Sequence, residues 1–189
     1  MSLASNTIKS VRNVLNDHIA KHPAASGGEA SRLELIEKKV LVANATQVDF
    51  TGLSIDDGNY MLVMHIFQNG TGSPNLSLYF NDDSAANYDS QYLDGTNTVV
   101  SAGRVTSGLF GGLVNVGPAL YMAMISKLSG KKPVTNTFNA TGHTALPTIA
   151  AWAHTWDTTS TITKITIWSP TANSIGIGST FTLYKLEFD

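Results

Sequence analysis

From Val40 onward, apolar and polar residues alternate in short runs punctuated by Gly, Asn, Ser and Pro, which is the period of strands rather than helices. Tyr60–Gln68 (YMLVMHIFQ) is apolar on both faces and predicts a central strand. Leu76, Leu78 and Phe80 alternate with Ser77, Tyr79 and Asn81, the pattern of a half-buried strand. Ile162–Trp168 and Thr180–Phe188 predict two further strands, joined through the turn Ser169–Ser174, and Ala119–Leu128 reads the same way. Gln91–Ser101 predicts a strand pair, whereas Asn69–Asn75 (NGTGSPN) is a turn by composition. Gly108–Gly117 fits either a loop or a glycine-broken strand. Pro133–Thr141 is polar and Thr-rich, and Ala150–Trp156 (AAWAHTW) fits neither strand nor loop by pattern. Roughly seven to nine short strands with such turns predict a mainly β fold, an antiparallel β-sandwich of jelly-roll type. Leu62, Met64, Leu78, Phe80, Ile165, Ile167, Leu183 and Tyr184 are its expected interior or subunit contacts.

The first 39 residues have another character. Ile8, Val11, Leu15 and Ile19 recur at helical spacing behind Ser5, a suitable N-cap, and Pro23 stops the run before the small-residue linker Ala24–Gly28. A single amphipathic helix of about 15 residues is marginal in water, so this stripe is expected to dock on its own domain, on sister chains or on a partner. Between Glu29 and Val40, Leu33, Ile36 and Val40 fit a helix face while Leu33, Leu35, Val40 and Val42 fit strands; a helical turn passing into a strand is expected. The predicted organisation is a helical anchoring or oligomerisation arm over residues 1–43 and a β-sandwich over 44–189.

Composition sharpens the division. Charged residues are 14% of the 189, against about 25% in ordinary domains. The first 39 residues carry a net charge of +2 and the remainder −4. A β domain with so few charges must keep its surface wet through hydroxyls and amides or cover it with neighbours. No Lys/Arg cluster exists, so no nucleic-acid partner is predicted. There is no cysteine, hence no disulfide framework and no thiolate metal site. Neither a signal-peptide core nor an apolar run of about 18 residues is present, and no membrane insertion is expected.

Candidate chemistry is sparse. His18 and His22 have the i, i+4 spacing of zinc ligands, but Ile19 stands where the metalloprotease signature needs Glu, and Pro23 follows at once. Asn81-Asp82-Asp83, with Asn87 and Asp89, is an acidic turn that offers oxygen ligands without the spacing of a calcium loop. Trp152, Trp156 and Trp168, with Tyr79, Tyr88 and Tyr92, offer rings that stack on sugar C–H faces, Trp168 being assigned to the core by its strong strand. Asp82, Asp83, Asn87, Trp152 and Trp156 are therefore the candidate ligand residues. The chain has no G-x-S-x-G elbow, its histidines are scattered, and Glu187 is its single Glu beyond residue 37. It is read as non-enzymatic, with no cofactor.

Three stretches together carry a resemblance: Val48–Tyr60 (VDFTGLSIDDGNY), Leu78–Tyr92 (LYFNDDSAANYDSQY) and Ser174–Leu186 (SIGIGSTFTLYKL). With Val14–Pro23 (VLNDHIAKHP), this set resembles β-sandwich virion surface proteins of tailed bacteriophages, of the fibre or decoration type, over about two thirds of the chain. The resemblance implies a structural protein of the virion exterior, assembled in the host cytoplasm. A short fibre or fibre-like appendage anchored by its N-terminal helix is the leading expectation. A capsid decoration protein that cements the head shell, and a lectin-like receptor-binding module, are the alternatives. Expected partners are sister chains in a homotrimer, other virion proteins of capsid, neck or tail, and a host-surface glycan. The matching motifs carry over no functional residue.

Overall fold

In a computed structural model of the chain, the residues described are 32–69, 75–96, 99–111, 118–141 and 148–187. Strand alternation organises all of them. The twelve strands are β1 (Arg32–Val40), β2 (Gln47–Ile55), β3 (Gly58–Phe67), β4 (Leu76–Phe80), β5 (Tyr88–Thr96), β6 (Val99–Val105), β7 (Leu109–Gly111), β8 (Pro118–Lys127), β9 (Val134–Thr141), β10 (Thr148–Trp156), β11 (Ile162–Trp168) and β12 (Thr180–Glu187). They form an eight-stranded sheet, β1-β12-β3-β8-β9-β10-β5-β6, and a four-stranded sheet, β2-β11-β4-β7. Every pairing is antiparallel. The chain changes sheet at each step from β1 to β5, again from β6 to β8, and again from β10 to β12.

The two sheets share one core. On the large sheet, Tyr60, Leu62, Met64 and Ile66 of β3 line up with Tyr121, Ala123 and Ile125 of β8 and with Phe181 and Leu183 of β12. On the small sheet, Val48, Phe50, Leu78, Phe80, Ile165 and Ile167 complete the same cluster. Each of the Val, Leu, Ile, Met and Phe side chains among these contributes about 1.5–3 kcal/mol by leaving water. Beyond β8 the inward positions change character. Thr135, Thr137, Asn139 and Thr141 of β9 are buried, as is His154 of β10. Further out, the Tyr92 ring lies over Gly103 so closely that a Cβ there would meet it at 2.6 Å, the arrangement in which an aromatic ring covers a strand glycine.

The β-rich, sandwich-like expectation holds, and three details differ from it. Arg32–Val40 is strand along its length, paired with β12, so paired β structure begins ahead of residue 44. Pro133–Thr141 contains β9 and AAWAHTW lies within β10, and the strands number twelve among the described residues. Tyr184 is half-exposed on the face opposite Leu183, as the two-residue period requires; the other seven expected interior residues are buried. The helix carrying Ile8, Val11, Leu15 and Ile19, with His18 and His22, lies outside the described residues.

Lys127 closes one end of the core. Its side chain is fully buried, and its ammonium donates to the carbonyls of Leu128 (3.2 Å), Lys131 (2.6 Å) and Thr159 (3.1 Å). Three donors thus meet three acceptors from two separate turns. Lys127→Met should leave those carbonyls unpaired and lower the unfolding free energy by about 3 kcal/mol, read as a lower urea midpoint at unchanged m-value; an unchanged midpoint would show that the turns hold without the ammonium.

Candidate functional site

The outer face of the four-stranded sheet carries a hollow of about 450 Å³ lined by Gln47, Tyr79, Asp82, Ser84, Thr166 and Trp168. Register explains why these residues meet. Ile165 and Ile167 face the core, so Lys164, Thr166 and Trp168 share the other face of β11. Thr166 stands opposite Asp49 of β2 and Tyr79 of β4, and Trp168 stands opposite Gln47 and Ser77. Tyr79 and Trp168 are therefore diagonal neighbours, with ring centroids 6.2 Å apart and planes tilted by 42°. Gly108 fixes the Tyr79 ring from its other side. A Cβ at Gly108 would lie 2.5 Å from the Leu78 carbonyl oxygen and 2.8 Å from the Tyr79 ring, so the close approach needs glycine. The Leu78 N–H donates to the Gly108 carbonyl at 2.7 Å.

The polar groups beside the rings hold one another in place. Asp49 accepts from Thr166 Oγ1 at 2.8 Å and from Gln47 Nε2 at 3.0 Å, and lies 3.3 Å from Lys164 Nζ. Lys164 also donates to Asp82 Oδ1 at 2.6 Å; that hydrogen bond, with a smaller contribution from Asp49, holds the ammonium pKa above its usual value. Asp82 reaches this position through a turn in which Asn81 (φ 53°) and Asp82 (φ 60°) are both left-handed, a conformation that Asn and Asp tolerate better than most residues. Asn81 pins the turn to β11. Its Oδ1 accepts the N–H groups of Thr163 (2.7 Å) and Lys164 (3.1 Å), and its Nδ2 donates to the Thr161 carbonyl (2.8 Å).

Two half-buried rings beside a carboxylate, an amide and hydroxyls form a surface suited to a saccharide. Ring faces take the C–H face of a sugar, and oriented oxygen and nitrogen atoms take its hydroxyls. Of the candidate residues read from sequence, Asp82 enters this hollow and the others do not. Asp83, Asn87 and Trp156 are brought together, but as a staple. Asp83 accepts from Trp156 Nε1 at 2.8 Å, from Asn87 Nδ2 at 3.0 and 3.1 Å, and from the Ala85 N–H at 3.2 Å. Burial alone would raise the Asp83 carboxyl, but these hydrogen bonds outweigh it and keep its pKa below the ordinary value. Trp156 is buried, stacked on Tyr88 at 6.5 Å. Trp152 lies on the inner face of the large sheet, stacked on Tyr92 (4.6 Å) and His154 (5.9 Å). The rings that the hollow presents are Tyr79, one of the aromatic residues the sequence offered, and Trp168, which sequence reasoning assigned to the core. The signal that finds it is parity, because Trp168 shares its strand face with Thr166 and Lys164 rather than with Ile165 and Ile167.

No protein-family model matches this chain, and no curated protein matches it.

His154 gives the inner face of the large sheet a titration of its own. Ser90 Oγ donates to the Ser107 carbonyl at 2.9 Å and lies 2.8 Å from His154 Nδ1. Its one proton is thereby committed, so Nδ1 carries the hydrogen that Ser90 accepts. Burial disfavours the imidazolium and pulls the pKa of His154 down from 6.5 to about 4. The unfolded chain therefore binds more protons than the folded one between those values, and stability falls as pH drops from about 6.5 to about 4. The loss approaches about 3 kcal/mol at the acid end. Urea unfolding across this range should show the loss. His154→Asn, which keeps a donor toward Ser90 without titrating, should flatten the slope above pH 4, and an equal slope in both proteins would exclude His154 as its origin.

Proposed function

We propose that this chain is a non-enzymatic structural protein of a tailed-phage virion exterior, and that the hollow at Tyr79 and Trp168 is its contact with a saccharide. The strand order supports the architectural half. Set β5, β6, β9 and β10 aside, and β1-β12-β3-β8 faces β2-β11-β4-β7, with the chain passing between the sheets at every step except from β4 to β7, which pair within the small sheet. That is the eight-stranded jelly roll, an architecture used by viral capsid and lectin domains. In this reading the four remaining strands are an extension of one sheet. An architecture alone does not assign a function, so the reading rests on the hollow, the one observation that carries it. Two strand-borne rings and a braced carboxylate are built to bind rather than to transform. The motifs VDFTGLSIDDGNY, LYFNDDSAANYDSQY and SIGIGSTFTLYKL lead toward the phage exterior.

Within that reading a short fibre or fibre-like appendage is favoured over a capsid decoration protein, because a sugar-binding hollow serves attachment and has no evident use in cementing a shell. Quantitative mass spectrometry of purified particles separates the two. A few to a few dozen copies per particle are expected of an appendage, hundreds of decoration, and absence from particles would end the virion reading.

The hollow is tested apart from the particle. The full chain should bind members of a bacterial-surface glycan array. Trp168→Ala should weaken that binding by roughly tenfold or more, corresponding to about 1.4 kcal/mol, while Trp152→Phe, on the other sheet, should leave it unchanged. No binding across the array, or equal binding by wild type and Trp168→Ala, would remove the saccharide from the proposal.

A further inference from the structure

The outer face of the large sheet, over β9, β10, β5 and β6, is apolar and ordered in an unusual way. Two adjacent rows cross these four strands. One reads Ala140, Ile149, Gly95, Val100, and the next reads Phe138, Ala151, Leu93, Ala102. Large and small residues alternate along each row, and the alternation is offset by one strand between the rows, which makes a checkerboard. The large members are exposed: Phe138 51%, Ile149 64%, Leu93 54% and Val100 69%. Leu120 and Met122 of β8 continue the apolar surface, and the small members open a cleft of about 420 Å³ between the large ones. Scattered apolar residues need no explanation, but a contiguous apolar face marks a contact.

The pattern selects the occupant. A two-fold contact presents the same patch twice, so the patch must complement itself. Place a two-fold axis between two such faces, parallel to the strands. Ala140 then meets Val100, Ile149 meets Gly95, Phe138 meets Ala102 and Ala151 meets Leu93. An axis across the strands, exchanging the two rows, again sets every large residue over a small one. A face made for an unrelated partner has no reason to satisfy either condition. Charge agrees. Among the described residues of these four strands, the charged side chains on this face are Arg104 and Asp89, already paired at 2.7 Å. The axis along the strands sets Arg104 over Asn136 and Asp89 over Thr155, so no like charges meet. Among the described residues, β6 ends the neighbouring edge of the sheet. At the far edge of the sheet β1 carries Arg32, Glu34, Glu37, Lys38 and Lys39, the charges that blunt a free edge, whereas β6 carries Arg104 alone.

We infer that a second copy of this chain docks here, face to face, about a two-fold axis. The inference stands apart from the saccharide and virion readings, since it concerns the other sheet and the isolated chain. Sedimentation of the full-length protein at micromolar concentrations tests it. The mass should correspond to an even number of chains, whatever residues 1–31 add. Leu93→Glu combined with Ile149→Glu should halve it with an unchanged far-ultraviolet circular dichroism spectrum, because both positions are exposed. Ala151→Trp separates shape from stickiness: it enlarges the apolar face but fills a hole, so it should weaken association. An odd number of chains, a monomeric wild type, a doubly charged variant of unaltered mass, or an Ala151→Trp variant that associates as well as wild type would each overturn the two-fold contact.

Discussion

The widths of the two sheets govern the rest of the structure, because four strands cover only part of eight. Where the small sheet lies over the large one, inward residues are Leu62, Met64, Phe181 and Leu183 against Phe50, Ile165 and Ile167, and the core is continuous. Past β8 the large sheet continues through β9, β10, β5 and β6; Tyr88 and Trp156 still join the hydrophobic cluster against Phe80, but the rest of the inner face turns polar. The chain answers with Thr and Asn on β9 and with the Tyr92–Trp152–His154 stack on β5 and β10. Thr137 Oγ1, the Asn139 amide, Thr141 Oγ1, Trp152 Nε1 and His154 Nε2 are buried there without a protein partner. These polar groups set this face apart from the aliphatic core between β3, β8, β12 and the small sheet.

A chain with few charges uses those it has as fasteners. Lys127 ties two turns by their carbonyls. Asp83 ties the β4–β5 turn to the end of β10 through Trp156. Asp82 and Asp49 share Lys164 beside the hollow. Lys132 and Asp157 pair across neighbouring turns. The exposed pairs contribute little each to stability, but they set where the turns sit. The hollow depends on that placement, since Asp82 stands beside Tyr79 and Trp168 because a left-handed turn and Lys164 put it there.

How much of this was legible beforehand depended on what each inward face was made of. β3, β4, β11 and β12 bury aliphatic and aromatic residues at every second position, and alternation found them. β9 buries Thr135, Thr137, Asn139 and Thr141 while exposing Val134 and Phe138, so its polarity is inverted and a rule that places apolar residues inside cannot see it. β10 mixes Ala, Trp and His on its inner face and defeats the same rule. β1 is ambiguous because a bulge after Leu35 shifts its register, which mimics helical spacing over a short run. Of the hollow, Asp82 was visible as part of an acidic turn. Trp168 was not, because a strong strand was equated with a buried one although its parity with Thr166 placed it outside. The checkerboard was invisible to any reading along the chain, since it exists only across strands brought together from residues 93–102 and 138–151.

The two surfaces are related by the sandwich itself. The hollow lies on the outer face of the small sheet, and the checkerboard lies on the outer face of the large one, so they point away from each other through the thickness of the fold. Two chains joined through their large sheets would therefore keep both hollows open, directed outward on opposite sides of the pair. Contact at one hollow would leave the other free, and a second ligand on the same surface would be reached only through the geometry of the larger assembly. Multivalent attachment then becomes a matter of spacing rather than of strong single sites, since linked weak contacts gain orders of magnitude in avidity when the geometry allows them to engage together. A shallow hollow with two tilted rings and a braced carboxylate is adequate for that purpose, and a deep, enclosing pocket is not required.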